Sequence, residues 1–360
     1  MNRIINGDVL RFAAHYRGER FHGVLCDPPY ELGFMGKSWD SRGVSFRAET
    51  WSAIRSLLLP GAHLLAFGGT RTFHRIAVAI EDAGFEIRDT IGWLYGSGFP
   101  KSHDVSKAID REAGAEREKI KVKPRPETSG TMAAHGDSRP WINKSRELGY
   151  HEVAGNIPAT DSAREWQGYG TALKPAWEPV IVARNPLAGT VAQNAIEHGA
   201  GALNVDGGRV GDELITSYPG LNRNKLLNDD GWSGIGKQIP PHSYIGRWPA
   251  NILHDGSDDI AEIMGDAQRF FYCAKAGKKE RNDGVVANHH PTVKPLALTE
   301  YLAKIIVPPA HVESRLLVPF AGSGSECIGA IRAGWRHVVG VEQNDEYARI
   351  ARARIEHHSR

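Results

Sequence analysis

Both ends of the chain alternate short apolar runs with amphipathic stretches, and a long polar middle separates them. Ile4-Ile5 reads as a strand stopped by Asn6-Gly7, with Asp8 placed to cap a helix over residues 9–16. Phe21 to Cys26 is a short apolar run bounded by turn signals, the pattern of a buried strand. Residues 50–59 carry Trp51, Ile54, Leu57 and Leu58 at helical spacing, and Pro60-Gly61 ends that helix. A buried strand over 63–67, a helix over 72–83 with Phe73, Ile76, Ala77 and Ile80 inward, and a strand over 85–95 follow. Residues 178–183 are apolar and β-branched, and are expected to rejoin the sheet antiparallel to the 85–95 strand, with a helix over 190–198 after them. The last seventy residues predict a helix over 295–306, strands over 315–320 and 336–341, a helix over 325–333 between them, and a closing helix over 346–357. Tyr347, Ile350, Ala351 and Ile355 line the closing helix, and its arginines Arg349, Arg352 and Arg354 read as a solvated face. Strands alternating with helices of this size predict an α/β fold with a doubly wound, mostly parallel sheet assembled from both chain ends.

The middle departs from this pattern. Residues 96–173 are polar and rich in Gly, Pro and charge, with one helix expected over 105–115. Lys101 to Arg125 holds eight Lys/Arg against five Asp/Glu, and Lys119, Lys121, Lys123 and Arg125 alternate as a basic strip. This is either a solvated loop or an insertion that grips phosphates, with Trp166 and Tyr169 available for stacking. Residues 199–289 are again irregular, apart from a short strand at Phe270 to Lys275 and the basic run Lys278-Lys279-Glu280-Arg281.

Candidate chemistry sits where predicted strands end. Asp27-Pro28-Pro29-Tyr30 follows the 21–26 strand, and open α/β sheets bind ligands at the carboxyl ends of their strands. The prolines fix φ and lack donors, Asp27 adds an acceptor, and Tyr30 offers a flat ring. Such a group suits a planar guest bearing an exocyclic NH2. Phe320-Ala321-Gly322-Ser323-Gly324 joins a strand to a helix, an arrangement that brings backbone N–H groups close to a nucleotide-like ligand. Glu342 ends the next strand, about twenty residues on, where an acid accepts from ribose hydroxyls.

These residues resemble the β-class amino-group DNA methyltransferases, whose Asp-Pro-Pro-Tyr motif precedes a target-recognition region and then a Phe-x-Gly-x-Gly loop. His290-Pro291-Thr292-Val293-Lys294-Pro295 supplies a third family element, and the three span residues 8 to 342 in the family's order, which is permuted relative to most class I methyltransferases. One residue departs from the pattern: Val318 stands where the family usually has an acid. The resemblance implies S-adenosyl-L-methionine as cofactor and double-stranded DNA as partner. It implies catalytic roles for Asp27, Pro28, Pro29 and Tyr30. For the cofactor it implies Asp8 near the adenine, Asp27, Thr292 and Lys294 over the methionine carboxylate, residues 320–324 as the loop, and Glu342 on the ribose. DNA contacts are expected from Lys101, Lys119, Lys121, Lys123, Arg125, Lys278 and Lys279, with residues 31–45, bearing Met35, Lys37, Trp39 and Asp40, as a loop over the site.

On this reading residues 1–95 are the catalytic half, 96–175 a target-recognition insertion, 176–198 a return strand and helix, 199–289 a second recognition segment, and 290–360 the cofactor half. Aspartate in the first motif position resembles the adenine-N6 members more than the cytosine-N4 ones. Methylation of a protein glutamine and a non-catalytic DNA-binding relative are the remaining readings. A homodimer and a separately acting restriction endonuclease are further partners that the resemblance suggests.

Composition adds limits. The formal net charge of +2 means that DNA contacts must come from local patches. No apolar run is long enough to span a bilayer. Cys26, Cys273 and Cys327 are too scattered for a disulfide framework or a zinc site, so no metal is expected and a reducing cytoplasm is the simplest location. No signal peptide is expected, because the chain runs directly into its first strand.

Overall fold

Among the described residues there are thirteen strands: β1 (Arg3–Asn6), β2 (Phe21–Cys26), β3 (Leu58–Phe67), β4 (Glu86–Leu94), β5 (Lys119–Val122), β6 (His151–Ala154), β7 (Trp177–Arg184), β8 (Val210–Ser217), β9 (His242–Arg247), β10 (Ile252–His254), β11 (Tyr272–Cys273), β12 (Arg315–Val318) and β13 (His337–Glu342). This computed structural model describes residues 2–32, 43–96, 98, 102–123, 148–217, 241–273, 280–285, 288 and 293–358. Nine strands form one sheet in the order β1-β13-β12-β2-β3-β7-β4-β10-β11. All neighbours pair parallel except β7, which runs antiparallel to both β3 and β4. The expected antiparallel return of 178–183 is therefore found, wedged between β3 and β4.

The sheet is wound on both faces, and each face has its own core. One core holds Leu25, Leu65, Phe67, Leu302, Val318 and Ile328, beneath the helices Leu296–Ile305, Ser325–Arg332 and Asp345–His358. The other holds Val24, Cys26, Trp51, Ile54, Ile76 and Ile80, beneath Val9–His15, Ala48–Ser56 and Phe73–Asp82. Trp51 and Ile54 are fully buried, and each side chain of this kind stabilises by about 1.5–3 kcal/mol. The predicted helix over 50–59 ends earlier than its apolar spacing implies, because Leu58 leaves it to pair with Phe21 at the start of β3. The 199–289 region is likewise more regular than its sequence suggests. It contains the β8–β9 hairpin, and its β10 and β11 extend the main sheet beyond β4.

Residues Ser97–Ala176 form a separate compact unit, and Met1–Gly96 with Trp177–Arg360 the other. In the smaller unit, β5 and β6 form a hairpin, and the helix Val105–Glu112 carries a buried Asp110. Arg117 donates to Asp110 at 2.6 Å, and Thr160 donates to it through its amide and hydroxyl at 3.0 and 2.8 Å. Burial works against the charge on Asp110, but these donors hold its carboxyl down at about 2.

What this topology does for function follows from the centre of the sheet. β12 lies between β13 and β2, with Leu316 opposite Gly23 and Leu317 opposite Val24. The turns that leave β2 and β12 therefore emerge side by side at the carboxyl edge, from segments nearly 300 positions apart.

Candidate active site

Asp27 leaves the end of β2, and Tyr30 folds back over it. The Tyr30 hydroxyl donates to Asp27 Oδ1 at 2.8 Å and makes a second, short contact with Glu178 Oε1. Lys294 closes the group, donating to Asp27 Oδ2 at 2.8 Å and the Tyr30 hydroxyl at 3.1 Å and pairing with Glu178 Oε1 at 2.8 Å. Its Nζ also lies 4.7 Å from the centroid of the Phe67 ring. Burial opposes the Lys294 charge, but the Asp27 and Glu178 carboxylates more than offset it and hold the amine above the usual lysine range. Burial, reinforced by the same two carboxylates, pushes the Tyr30 phenol well above its ordinary value. The charged Lys294 ammonium and the neutral Tyr30 phenol are thus held between the side chains of Asp27 and Glu178.

The loop after Tyr30 is held in a demanding conformation. Glu31 sits at φ 55°, unusual for a residue with a side chain, and its carboxylate accepts from Gly43 N at 2.7 Å. Ser45 Oγ donates to the Pro29 carbonyl at 2.7 Å, and Thr72 Oγ1 to the Tyr30 carbonyl at 2.9 Å. The Asp-Pro-Pro-Tyr turn is therefore clamped from two helices. Residues 33–42, including Met35, Lys37, Trp39 and Asp40, lie outside the described residues.

The glycine turn is built next door. Gly322 and Gly324 take φ 49° and 84°, and a Cβ on Gly324 would stand 3.1 Å from the Ala351 Cβ. Glu342 accepts from Gly322 N at 2.8 Å and from Asn344 N at 2.7 Å. Burial raises the Glu342 carboxyl, and these amide donors oppose the rise. Phe320 meets Trp51 edge-on, with ring centroids 6.3 Å apart. Asp8 caps its helix, accepting from Leu10 N and Arg11 N at 3.0 Å each, and it follows β1, whose Asn6 pairs with Glu342. Asp8, Glu342 and the glycine turn thus share one end of the sheet, and Asp27 stands on the next strand but one from Glu342.

Two residues of the site, Glu178 and Glu326, carry no signal in the sequence that marks them, and a third, Arg354, carries a misleading one. Glu178 was legible only as the first polar residue of an apolar strand. Glu326, buried at the start of the Ser325–Arg332 helix, drew no notice beside the glycines. Arg354 corrects the reading of a solvated arginine face: it is fully buried, and it donates to the Ser323 carbonyl at 2.7 Å and to Ser323 Oγ at 3.1 Å. Arg349 and Arg352 are exposed as expected. Ala321 is buried beneath the turn, its amide donating to the Val341 carbonyl at 2.9 Å. Thr292, Lys101, Arg125, Lys278 and Lys279 lie outside the described residues, whereas Lys119, Lys121 and Lys123 are exposed in the smaller unit. Among the described residues no group of three or more His, Cys, Asp or Glu could hold a metal ion.

The family of DNA methylases designated N6_N4_Mtase matches residues 21–353, taking in Asp27 to Tyr30, Lys294 and the glycine turn. The chain belongs to this N6/N4 DNA methylase family. The protein YubD of Escherichia coli (strain K12) is 39% identical over 67 residues, which is 19% of this chain and 28% of that protein. The type II methyltransferase M.HindIII of Haemophilus influenzae is 22% identical over 311 residues, 85% of this chain and 67% of that one. Among solved structures, the cytosine-N4-specific PvuII DNA methyltransferase matches 98% of this chain and 86% of its own at 14% identity and a TM-score of 0.48. The M1.HpyAVI–SAM complex matches 99% and 100% at 14% identity and a TM-score of 0.43.

In this methylase the glycine turn depends on Arg354. Arg354→Met leaves the Ser323 carbonyl without its charged donor, and is expected to lower stability by about 2–4 kcal/mol. It is also expected to weaken binding of S-adenosylhomocysteine by about tenfold, since a shift of the turn costs roughly 1.4 kcal/mol per decade of affinity. Denaturant unfolding and calorimetric titration check both, and a variant unchanged in both would show that the turn stands without this arginine.

Proposed function

We propose that this methylase transfers a methyl group from S-adenosyl-L-methionine to the N6 amino group of adenine in DNA, with cytosine N4 as the second reading. The observation that carries the proposal is the position of the Asp27, Tyr30, Lys294 and Glu178 cluster, one strand away from a glycine turn of positive φ and its partner Glu342. The residues fit the cofactor. The backbone turn takes a positive φ at Gly324, where a Cβ would crowd Ala351 at 3.1 Å, and Glu342 would face the ribose, with Asp8 beyond it. The cofactor would supply an electrophilic methyl group on a sulfonium.

The protein's own task is to prepare an amine that is a poor nucleophile, because its lone pair is delocalised into the ring. A base inside a duplex is out of reach and has to be flipped out. Tyr30 offers its ring face to the flipped base, while its hydroxyl remains tied to Asp27 and Glu178. Asp27 and the Pro28 carbonyl accept the two N–H bonds, turn the nitrogen towards tetrahedral geometry and aim its lone pair. In the structure the Lys294 ammonium occupies Asp27 Oδ2 at 2.8 Å, the acceptor that the amine needs. The incoming amino group therefore takes a place that a positively charged N–H donor already defines. Rate enhancement then comes from alignment and fixed charges, with no covalent enzyme intermediate.

Aspartate at position 27 favours adenine by family resemblance. The basic residues Lys119, Lys121 and Lys123 are proposed to contact phosphates from the smaller unit. Expression in a host that lacks DNA methylation, followed by single-molecule sequencing of its DNA, tests the whole reading. N6-methyladenine at one short motif is expected. N4-methylcytosine would keep the mechanism and change the base, and unmodified DNA would sink the proposal.

A further inference from the structure

Four carboxylates converge on the site, and three of them have protein donors. Asp27 and Glu178 share Lys294 and Tyr30, and Glu342 is held by the amides of Gly322 and Asn344. Glu326 is different. It is 4% exposed, on the first turn of the eight-residue helix that leaves the glycine turn. Among the described residues, no other residue donates a hydrogen bond to its carboxylate.

The surroundings say what sort of partner is missing. Glu326 feels the charges of Asp27 on β2, Lys294 before the Leu296–Ile305 helix and Arg354 on the closing helix, and its own charge helps to raise the Cys26 and Cys327 thiols. Both nearby cations are already engaged, Lys294 by Asp27 and Glu178, Arg354 by Ser323. Burial, and then the neighbouring Asp27 charge, push the Glu326 carboxyl above the ordinary range. A buried carboxylate to which no cation is bonded is costly, so this position favours a ligand that brings one. Its place relative to the two ends of the cofactor site selects which. Glu342 takes the ribose side, beside Gly322. Glu326 stands on the helix that leaves the turn, and its charge is felt by Asp27 on β2, which flanks β12 on the side away from Glu342.

We propose that Glu326 binds the α-ammonium group of the cofactor's amino-acid end, supplying from the helix a carboxylate that buried Val318 cannot supply from the strand. This rests on the methyltransferase reading above. The ammonium donates to the Glu326 carboxylate, while the turn residues carry the rest of the amino-acid end. Glu326 is thereby a determinant of recognition: it selects ligands that keep the amino-acid end over nucleosides that lack it.

Calorimetric titration of the full-length protein with two probes tests this. S-adenosylhomocysteine carries the ammonium, and 5′-methylthioadenosine keeps the nucleoside and thioether without it. Glu326→Gln preserves shape and removes the charge. It is expected to weaken S-adenosylhomocysteine at least tenfold and to leave methylthioadenosine within about twofold, since charge-assisted hydrogen bonds are the stronger class. The variant should melt at or above the wild-type temperature at pH 8 without ligand, because it no longer buries an ionised carboxylate; this separates lost recognition from lost folding. Glu326→Asp, which keeps the charge one methylene short, should fall between wild type and the glutamine variant. Unchanged S-adenosylhomocysteine affinity in Glu326→Gln, or equal weakening of both probes, would overturn the assignment. A wild-type protein that binds neither probe would instead remove the methyltransferase reading on which it rests.

Discussion

Asp27→Ala lowers the methylation rate by roughly a thousandfold or more, while S-adenosylhomocysteine still binds within a few-fold of wild type. The size follows from the number of tasks that Asp27 combines. Its carboxylate accepts from Tyr30 at 2.8 Å and from Lys294 at 2.8 Å, so it fixes the ring and anchors the ammonium, and in the proposed mechanism it also offers the acceptor for the substrate amine. Alanine removes all three, and leaves Lys294 with Glu178 alone. The cofactor turn is held from elsewhere, by Glu342 and Arg354, which is why binding survives. Methylation of unmodified plasmid DNA with radiolabelled cofactor measures the first quantity, and calorimetry the second. A variant that methylates at the wild-type rate would remove Asp27 from the mechanism.

Lys294→Met is expected to slow methylation by about a hundredfold near neutral pH, and to regain much of that loss as pH rises. Removing the ammonium leaves Asp27 and Glu178, both 2.8 Å from the same nitrogen in the wild type, as a buried like-charged pair. One of them then takes up a proton, because desolvation and mutual repulsion both raise carboxylate pKa values. A proton shared through the Tyr30 hydroxyl occupies the acceptor that the amine needs. The sign is definite: the active form of the variant is the more deprotonated one, so its activity climbs with pH over a range where the wild type, with the lysine charge between the two acids, changes little. Rates measured from pH 6 to 9 decide this. A profile parallel to wild type would mean that Lys294 does not set the charge state of the pair, and removal without loss at any pH would make it only an obstruction at Asp27.

Asp27 to Tyr30 and the glycine turn could be read from the chain because their chemistry is local: consecutive residues at the end of a strand, with φ restricted by proline or freed by glycine. Glu342 could be read because a strand of fixed length follows a helix of fixed length. Glu178 could not, since nothing in Glu178-Pro179-Val180 says that β7 will run antiparallel between β3 and β4 and carry the carboxylate to Tyr30. Lys294 was visible, but the family resemblance places it over the methionine carboxylate, whereas the structure bonds it to Asp27, Tyr30 and Glu178. Arg354 had a signal that charge concealed. It lies four residues after Ile350 and three after Ala351, on the buried stripe of its helix, and a guanidinium on such a stripe has to find acceptors within the fold.

The pairing of β12 with β2 also imposes a schedule on synthesis. β2 and Asp27 leave the ribosome early, but the strand that covers the free edge of β2 and the turn beside Asp27 are encoded about 300 codons later. At roughly 5–20 residues per second, the early half waits on the order of 15–60 s before it can close. During that wait the exposed edge of β2, with Val24 and Leu25 on its two faces, is open to wrong partners. A ribosome stalled before residue 315 therefore carries a chain with every member of the Asp-Pro-Pro-Tyr motif and no active site, and its demand for chaperones should end only when β12 and β13 have emerged and paired.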